Sequence, residues 1–502
     1  MGLPSLLTDS RAIAAVAAAV LLSVVLATRT TRTSSHGALP LPPGPKPLPL
    51  IGNLLDMPKQ RPWVGFAEMA QTYGPVISLS VLGKRIIVLN SVETLVEGLG
   101  KRELAGRPHL VVAGELMDFN RTMVLVPDGP EHKAHRRLSH IALNPSAVQA
   151  FTKIQTESIR RCIDRLATTP DYDKEIRVAV ARSIVEMVYG IKIEGIDDPF
   201  VVCADTVFEA LGDALVPGRY LADVIPMLKL IPSWFPGAHF KREAAQVRKE
   251  LDTMCDYPFG LVKEAMASGT APYSFVSSLL DGVKSGSIEG VPEEFISNVA
   301  GTLYGGGVDT TYSTILTFLL AVSINPRVQA KAQEEIDRVI GKERLPVFED
   351  RVLLPYVRAV VQEAMRFYPT APVGVARLAT KDTVIGGYFV PKDSVVIPNA
   401  WAVSRDPGSS GLPADEFHPE RFLNAGPPPD PSVYAFGVGR RSCVGQTVGE
   451  NFVFIMIASL LASYTILPAQ DEEGRDIKPK LAWLDTTLTR PEPFGCRFVP
   501  RA

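Results

Sequence analysis

Cysteine is scarce in this chain: five in 502 residues (Cys162, Cys203, Cys255, Cys443 and Cys496), far apart and never in a C-x-x-C pair. That spacing offers neither a disulfide framework nor a zinc motif, and it suits a reducing compartment. A surplus of charge is missing too. Fifty-two basic residues face 54 acidic ones, for a formal charge of -2, so the basic face that nucleic-acid binding requires is not advertised, and no nucleic-acid partner is expected. No repeat of fixed period is present, and no strand-helix alternation that would build a dinucleotide-binding sheet.

What is present is length and apolar content. At 502 residues and 46% hydrophobic composition the chain is able to bury a large core, either as one big domain or as two. From Ala12 to Ala27 every residue but Ser23 is apolar. At about 1.5 Å per residue this run is slightly short for a bilayer core of about 30 Å. Arg29, Arg32 and Lys46 follow it while Asp9 and Arg11 cancel before it, which places the bulk of the chain on the cytosolic side. The residues leave two readings open, a retained anchor or a cleaved secretory signal. The polar "TRTTRTSSHG" comes next, then "LPLPPGPKPLPLIGN" from Leu39 to Asn53, a stiff extended stretch that is either a plain linker or a spacer setting how the body sits on a membrane.

Beyond it, Val76 to Asn90 alternates around Gly83 and predicts a hairpin. A long helical middle follows. "SAVQAFTKIQTESIRRCIDRLA" and "INPRVQAKAQEEIDRVIG" place apolar residues three and four apart, with Pro326 at a helix start. "TVIGGYFVPKDSVVIPNAWAV" predicts strands and turns again. The fold class is therefore mainly α with small β-sheets, an α+β arrangement.

The stretch "FGVGRRSCVG", Phe436 to Gly445, carries the chemistry. Gly437, Gly439 and Gly445 permit positive φ and a close approach to a flat ligand. An apolar helix begins just after Cys443, and a helix N-terminus aims N–H groups that lower a thiol's pKa. Arg441 is placed to pair with an anion. Thiolate, tight glycine loop and carboxylate-binding arginine together suit an iron porphyrin. A lone cysteine is ordinarily a small buried hydrophobe, which would leave the glycines and Arg441 unexplained.

These residues fill the pattern F-x-x-G-x-R-x-C-x-G with Phe436, Gly439, Arg441, Cys443 and Gly445. The stretch resembles the haem-binding loop of the cytochrome P-450 superfamily of haem-thiolate monooxygenases. Three further segments are similar to that family. In "VQEAMRFYP", Glu363 and Arg366 sit three apart on a helix, by themselves an ordinary surface pair. The resemblance implies that they join Arg421 of "FHPERF" in a buried network. "GGGVDTTYSTI" would cost a helix about 1 kcal/mol per glycine, and it looks like the family's distal helix through Gly306, Gly307, Asp309, Thr310 and Thr311. There the small residues imply a bend and room for dioxygen, Thr310 a hydrogen bond to it, and Asp309 proton supply. The family's basic partners for the haem carboxylates fall on Arg377 and Arg136, beside Arg441. Its W-x-x-x-R pattern is broken, because His132 stands where tryptophan is usual; His132 is either a propionate donor or a surface residue.

The resemblance runs from about Leu39 to the C-terminus and is to microsomal, fungal members that tailor secondary metabolites. It implies a cytochrome P-450 fold with an N-terminal transmembrane helix: residues 1-28 as anchor, 29-53 as linker and 54-502 as catalytic domain. It also implies single-pass attachment to the endoplasmic reticulum with the body in the cytosol. The cofactor would be haem b, with Cys443 as axial iron ligand. NADPH would act only through a separate cytochrome P-450 reductase, with cytochrome b5 as a further donor. Lys133, Arg137 and Arg440 are candidates for the reductase contact, or simply solvated charges. The substrate pocket would draw on Leu110 to Met117, Tyr304, Gly305, Pro372 to Val375 and Thr486 to Leu488, mostly apolar, which favours a lipophilic molecule such as a terpenoid over a polyketide. Trp234 and Phe235 are placed either at a membrane interface or in the core. Two rival functions stand beside the monooxygenase: a haem-thiolate isomerase or dehydratase, and a membrane-tethered haem protein without turnover.

Overall fold

The structure, a computed structural model, describes residues 39–406 and 411–501 apart from Ile196 and Pro217. The expected anchor, residues 1-28, and the first part of the linker lie outside the described residues. We label only the helices that the site uses: α1 (Pro130–Leu143), α2 (Tyr172–Tyr189), α3 (Pro199–Ala214), α4 (Glu293–Ser323), α5 (Pro355–Phe367) and α6 (Gln446–Ser463). Helices dominate, as the apolar spacing predicts. The strands form three small sheets, with β1 (Val76–Val81), β2 (Lys84–Leu89), β3 (Arg377–Leu378) and β6 (Val395–Pro398) in the order β1-β2-β6-β3.

The expected hairpin is β1 and β2, paired antiparallel from Val76 with Leu89 to Val81 with Lys84. Leu82 and Gly83 both have positive φ, 48° and 81°, the mirror-image turn that matches strand twist. The strands expected after Thr383 are present as β4 (Thr383–Ile385), β5 (Tyr388–Val390) and β6. The first long helical segment is broken into a short helix, Pro145–Val148, a 3-10 turn and a helix over Thr152–Leu166. Pro326 begins its helix as expected.

From Pro40 onward the proline-rich stretch is fastened to the body. Pro40 O accepts from Phe389 N and Pro43 O from Ser78 N, both at 2.8 Å, while Asn53 Oδ1 accepts from Ser80 N at 2.9 Å. A Cβ on Gly44 would fall 2.0 Å from Ser78 O, so glycine is what lets the two backbones meet.

Helix α4 is the axis of the molecule. Most of its 31 residues are buried, each large apolar side chain contributing about 1.5–3 kcal/mol, and Glu293 and Glu294 in its first turn oppose the positive end of its dipole. It runs unbroken through Gly305, Gly306 and Gly307. The three glycines serve two purposes. A Cβ on Gly305 would lie 1.4 Å from the Phe208 ring of α3, and one on Gly307 2.8 Å from Ile184 of α2, whereas one on Gly306 meets nothing within 4 Å. Two glycines therefore admit neighbouring helices and the third opens a space. Helix α6 is the one helix among the described residues long and apolar enough to cross a membrane, and it is mostly buried in the core.

Glu363 and Arg366 do not form a surface pair. Their exposures are 0% and 2%, with Arg421 at 1%. Arg366 Nε and Nη2 donate to the Glu363 carboxylate at 2.7 and 2.9 Å, and Arg421 Nε lies 3.0 Å from Oε2. The spare guanidinium donors bond carbonyls of Ser404, Ala414, Glu416 and Pro413. Helix α5 is thereby tied to the segment that leads into the cysteine loop. Such a network is costly to assemble and more costly to break.

Two predictions follow from this packing. Gly305→Ala is expected to lower stability by about 1–3 kcal/mol through overpacking, while Gly306→Ala leaves it unchanged or raises it by up to about 1 kcal/mol; denaturant midpoints of both variants check the contrast. Glu363→Ala is expected to cost about 3–5 kcal/mol by stranding two buried guanidinium groups, read from the same midpoints.

Candidate functional site

The cysteine loop is built by its backbone. Cys443 N donates to Phe436 O at 2.8 Å, closing the loop, while Gly437 and Gly439 adopt φ of 69° and 75°. At Gly439 a Cβ would also strike Leu99 O at 2.4 Å. Gly445 differs from expectation: its φ is -86° and it is the N-cap residue of α6, so no left-handed turn requires glycine there.

Above the loop lies a cavity of about 380 Å³. Phe436, Gly437, Arg441, Cys443 and Gly445 form one wall, and Gly306, Gly307, Thr310, Thr311 and Thr314 of α4 line another. Cys443 is accessible from this space yet surrounded by protein. Its sulfur receives the N–H groups of Gly445 and Gln446, as a helix N-terminus should provide. The expected low pKa is nevertheless not the net result in the protein alone. Burial pushes the thiol up, and the Gly445 N–H, Arg136 and the Gln446 N–H oppose it without prevailing.

Positive charge collects at one end of the cavity. Arg441 Nε and Nη2 donate to Ala105 O and Val126 O at 2.8 and 2.7 Å, leaving Nη1 buried without a partner. Arg377 Nη1 is likewise buried and unpartnered. Burial, then Arg441 and Arg136, push Arg377 down to about 9. Arg136 lines the cavity, with Nη2 3.4 Å from Ser442 Oγ and Nη1 donating to Ser442 O. His132, one turn before it on α1, also lines the cavity and is 2% exposed, which removes the surface reading. Neither of its ring nitrogens is hydrogen-bonded, although Asp128 Oδ1 lies 3.5 Å from Nδ1. Arg107 joins the group and escaped the sequence reading. It is held by the carbonyls of Val124, Val375 and Ala376 at 2.7–2.9 Å. The only sequence signal was an arginine placed just ahead of the apolar run after Pro108.

Three unpartnered buried donors, on Arg441, Arg377 and His132, beside a thiol fit a flat ligand with a metal at its centre and two carboxylates at one edge. An iron porphyrin is such a group. The residues that would hold it are Cys443, Arg441, Arg377, Arg136 and His132, with Gly437 and Phe436 against its plane.

Thr310 and Asp309 part company. Thr310 lines the cavity and donates to Gly306 O at 2.8 Å. Asp309 is absent from the cavity wall; its Oδ1 is 3.1 Å from Arg177 Nη2 of α2. Arg177 also pairs with Asp205 and lies over the Tyr312 ring. Burial pushes the Asp309 carboxyl up, with Arg177 opposing. Of the expected substrate contacts, Gly374, Val375, Thr487 and Leu488 line the cavity. Val111 to Gly114 are packed in the core instead, Tyr304 donates to Phe200 O, and Gly305 is covered by Phe208. Their places are taken by Met123, Met187, Phe208, Leu211 and Leu215, which motif reading had no means to select. Trp234 and Phe235 are exposed rather than tucked into the core.

His135, on α1 beside this group, is fully buried against Phe295, and burial followed by Arg441 pushes it down to about 4. Unfolded, it titrates near ~6.5. Between these values the unfolded chain binds more protons, so stability is fully present above about pH 6.5 and is lost as pH falls towards 4. His135→Leu is expected to flatten that acid-side decline by up to about 1.4 kcal/mol per pH unit; denaturant titrations across this range check it.

Comparison with known proteins agrees with this geometry. The Cytochrome P-450 family model matches residues 42–496. Cytochrome P-450 monooxygenase 105 of Postia placenta is 38% identical over 465 residues, 92% of this chain and 89% of the relative. Cytochrome P-450 monooxygenase claR of Ampulloclitocybe clavipes is 36% identical over 470 residues, 92% and 87%. Cytochrome P-450 monooxygenase COX2 of Coprinopsis cinerea is 36% identical over 505 residues, 99% and 95%. With its cysteine loop, glycine-bearing helix and buried carboxylate-arginine network, the chain belongs to the cytochrome P-450 family of haem-thiolate monooxygenases.

Proposed function

We propose that this chain oxidises a lipophilic small molecule at the cavity between Cys443 and Thr310, drawing electrons from a membrane-bound NADPH-dependent reductase. The observation that carries the reading is the cavity-facing Cys443 sulfur opposite the Gly306–Thr310 stretch of α4, with unpartnered Arg377, Arg441 and His132 donors between them. The bound haem supplies dioxygen activation at iron. The chain's own residues do the rest.

Cys443 would supply the sulfur that holds the haem iron, and the Gly445 and Gln446 N–H groups favour its charged form. Arg377, Arg441 and Arg136 would neutralise the propionates, and the neutral His132 ring would donate a hydrogen bond to one of them. Gly306 leaves open space beside Thr310, whose oxygen keeps lone pairs free while its proton is shared with Gly306 O. Proton supply to Thr310 passes through Asp309, which must first turn from Arg177. The Arg177 contact thus meters protons and keeps bulk water from the carboxylate. Phe208, Leu211, Leu215, Met123 and Leu488 exclude water and select an apolar substrate.

Attachment to the endoplasmic reticulum is part of the same proposal. Leu221, Met227, Leu230 and Trp234 are each more than two-thirds exposed, and Leu48, Leu50, Leu54 and Leu55 are exposed as well. The β1-β2 turn links the two groups, since Gly52 bridges to Val81 and Lys84 Nζ donates to Asp223 O at 2.7 Å. An apolar patch of this kind suits a lipid interface, the place where a lipophilic substrate is dissolved. Reductase, with cytochrome b5 as second donor, would meet the opposite side through exposed Lys133 and Arg137 and half-buried Arg440. A terpenoid of fungal secondary metabolism fits the apolar wall.

Cys443→Ala is expected to abolish both the carbon monoxide difference band of a thiolate-bound haem and NADPH-driven oxidation, with haem content falling severalfold. Retention of the band or of turnover would refute the assignment.

A further inference from the structure

The cavity wall is mostly apolar, yet five threonines on it have hydroxyl protons already committed to the protein. Thr302, Thr310 and Thr314 each donate to the carbonyl one turn back on α4, to Asn298, Gly306 and Thr310, at 2.8, 2.8 and 3.1 Å. Thr487 donates to Gly212 O at 2.7 Å. The fifth, Thr370, belongs to a short chain. Ser313 is buried and gives its proton to Thr489 O at 2.6 Å, so its oxygen accepts from Thr370, 3.3 Å away.

A hydroxyl has one proton and two acceptor positions. Thr314 Oγ1 and Thr370 Oγ1 are 3.4 Å apart, within reach of a shared hydrogen bond; whichever of these acceptors takes each proton, both protons stay within the protein and both oxygens keep an acceptor position free. Both side chains are half-buried and on the cavity wall. Two neighbouring hydroxyl oxygens with spare lone pairs and no spare proton accept a donor better than they serve an acceptor.

We propose that Thr314 and Thr370 form a subsite for a hydrogen-bond donor on the substrate, so that the molecule oxidised is a lipophilic alcohol. This rests on the monooxygenase reading of the cavity and narrows its substrate class. A ketone would need one threonine to withdraw its proton from a protein acceptor, and a hydrocarbon would leave both oxygens desolvated. Thr314 is one turn beyond Thr310 on the same face of α4, about 5–6 Å along it. The alcohol is therefore anchored at a fixed distance from the oxidised position, and the rest of the molecule extends towards Leu303, Phe208 and Leu211. The reaction that supplies such a substrate installs a hydroxyl: water capture by a carbocation, reduction of a ketone, or an earlier hydroxylation.

Matched probes test it on the haem-loaded full chain: trans-decalin, trans-2-decalol and trans-2-decalone, with 5α-androstane, its 3β-alcohol and its 3-ketone as a larger set. Binding is read from the substrate-induced spin-state shift. In at least one scaffold the alcohol is expected to bind about tenfold more tightly than the ketone or hydrocarbon, one net hydrogen bond plus an avoided unpaired group. The Thr314→Val, Thr370→Val double variant should lose that preference, and the Thr314→Ser, Thr370→Ser double variant should keep it, which separates a lost oxygen from a disturbed fold. Equal binding of alcohol and ketone, no shift with either alcohol, or a preference surviving in the valine variant would each overturn the subsite. The carbon monoxide difference spectrum is recorded alongside. Its absence from the wild type counts against the haem-thiolate reading, whereas a normal spectrum without alcohol preference counts against the subsite alone.

Discussion

Buried positive charge at the cavity edge, with no carboxylate among the described residues in ion-pair contact with Arg377, Arg441 or Arg107, is the constraint on which this molecule turns. Burial lowers the pKa of Arg377, and Arg441 and Arg136 lower it further; Arg107 is lowered by burial and then by Arg377 and Arg441. Arg377 and Arg441 each keep a buried nitrogen without a partner. An uncompensated cluster of this kind costs several kcal/mol. The chain tolerates it because the backbone carbonyls of Ala105, Val124, Val126 and Val375 hold the guanidinium groups in place, and a dianionic ligand completes the charge balance. On the proposed assignment cofactor binding and folding are linked: what destabilises the bare protein at this site would be what retains the haem.

The opposite solution is used one layer away. At Glu363 one carboxylate serves two arginines, and every remaining donor described there finds a carbonyl. That network is self-sufficient, so it is free to act as a strut that positions the segment before the cysteine loop. The glycines of α4 work in a similar division, with Gly305 and Gly307 filled by neighbouring helices and Gly306 left open to the cavity. A rigid frame around a single open position is what directs oxidation to one part of a substrate.

Much of this was legible in the sequence because its motifs are short. The loop from Phe436 to Gly445, the Glu363–Arg366 spacing and the stretch from Gly306 to Thr311 are short enough to be matched to a known family, and it was that resemblance, not local geometry, that implied the buried network with Arg421. The hairpin turn at Leu82 and Gly83 was readable from local pattern instead. Partnerships between distant segments were not. Arg107 finds its carbonyls across more than 260 residues, and Met123, Met187 and Leu211 reach the cavity only through helix packing. Asp309 was given its proton-supply role beside Thr310 by the family resemblance, whereas in the fold consecutive helical residues face different directions and Asp309 pairs with Arg177. The helix N–H groups that lower the Cys443 pKa were visible as a pattern, whereas the burial that opposes them was not. Gly445 was given a left-handed role that the N-cap conformation does not need.

The central claim is that the Cys443 sulfur bonds directly to a porphyrin metal. Iron K-edge absorption on the purified holoprotein measures this most directly, because sulfur and light-atom scatterers are separated by distance and phase. The account predicts one sulfur together with the four porphyrin nitrogens in the iron's inner shell. An inner shell made of nitrogen or oxygen alone would contradict it.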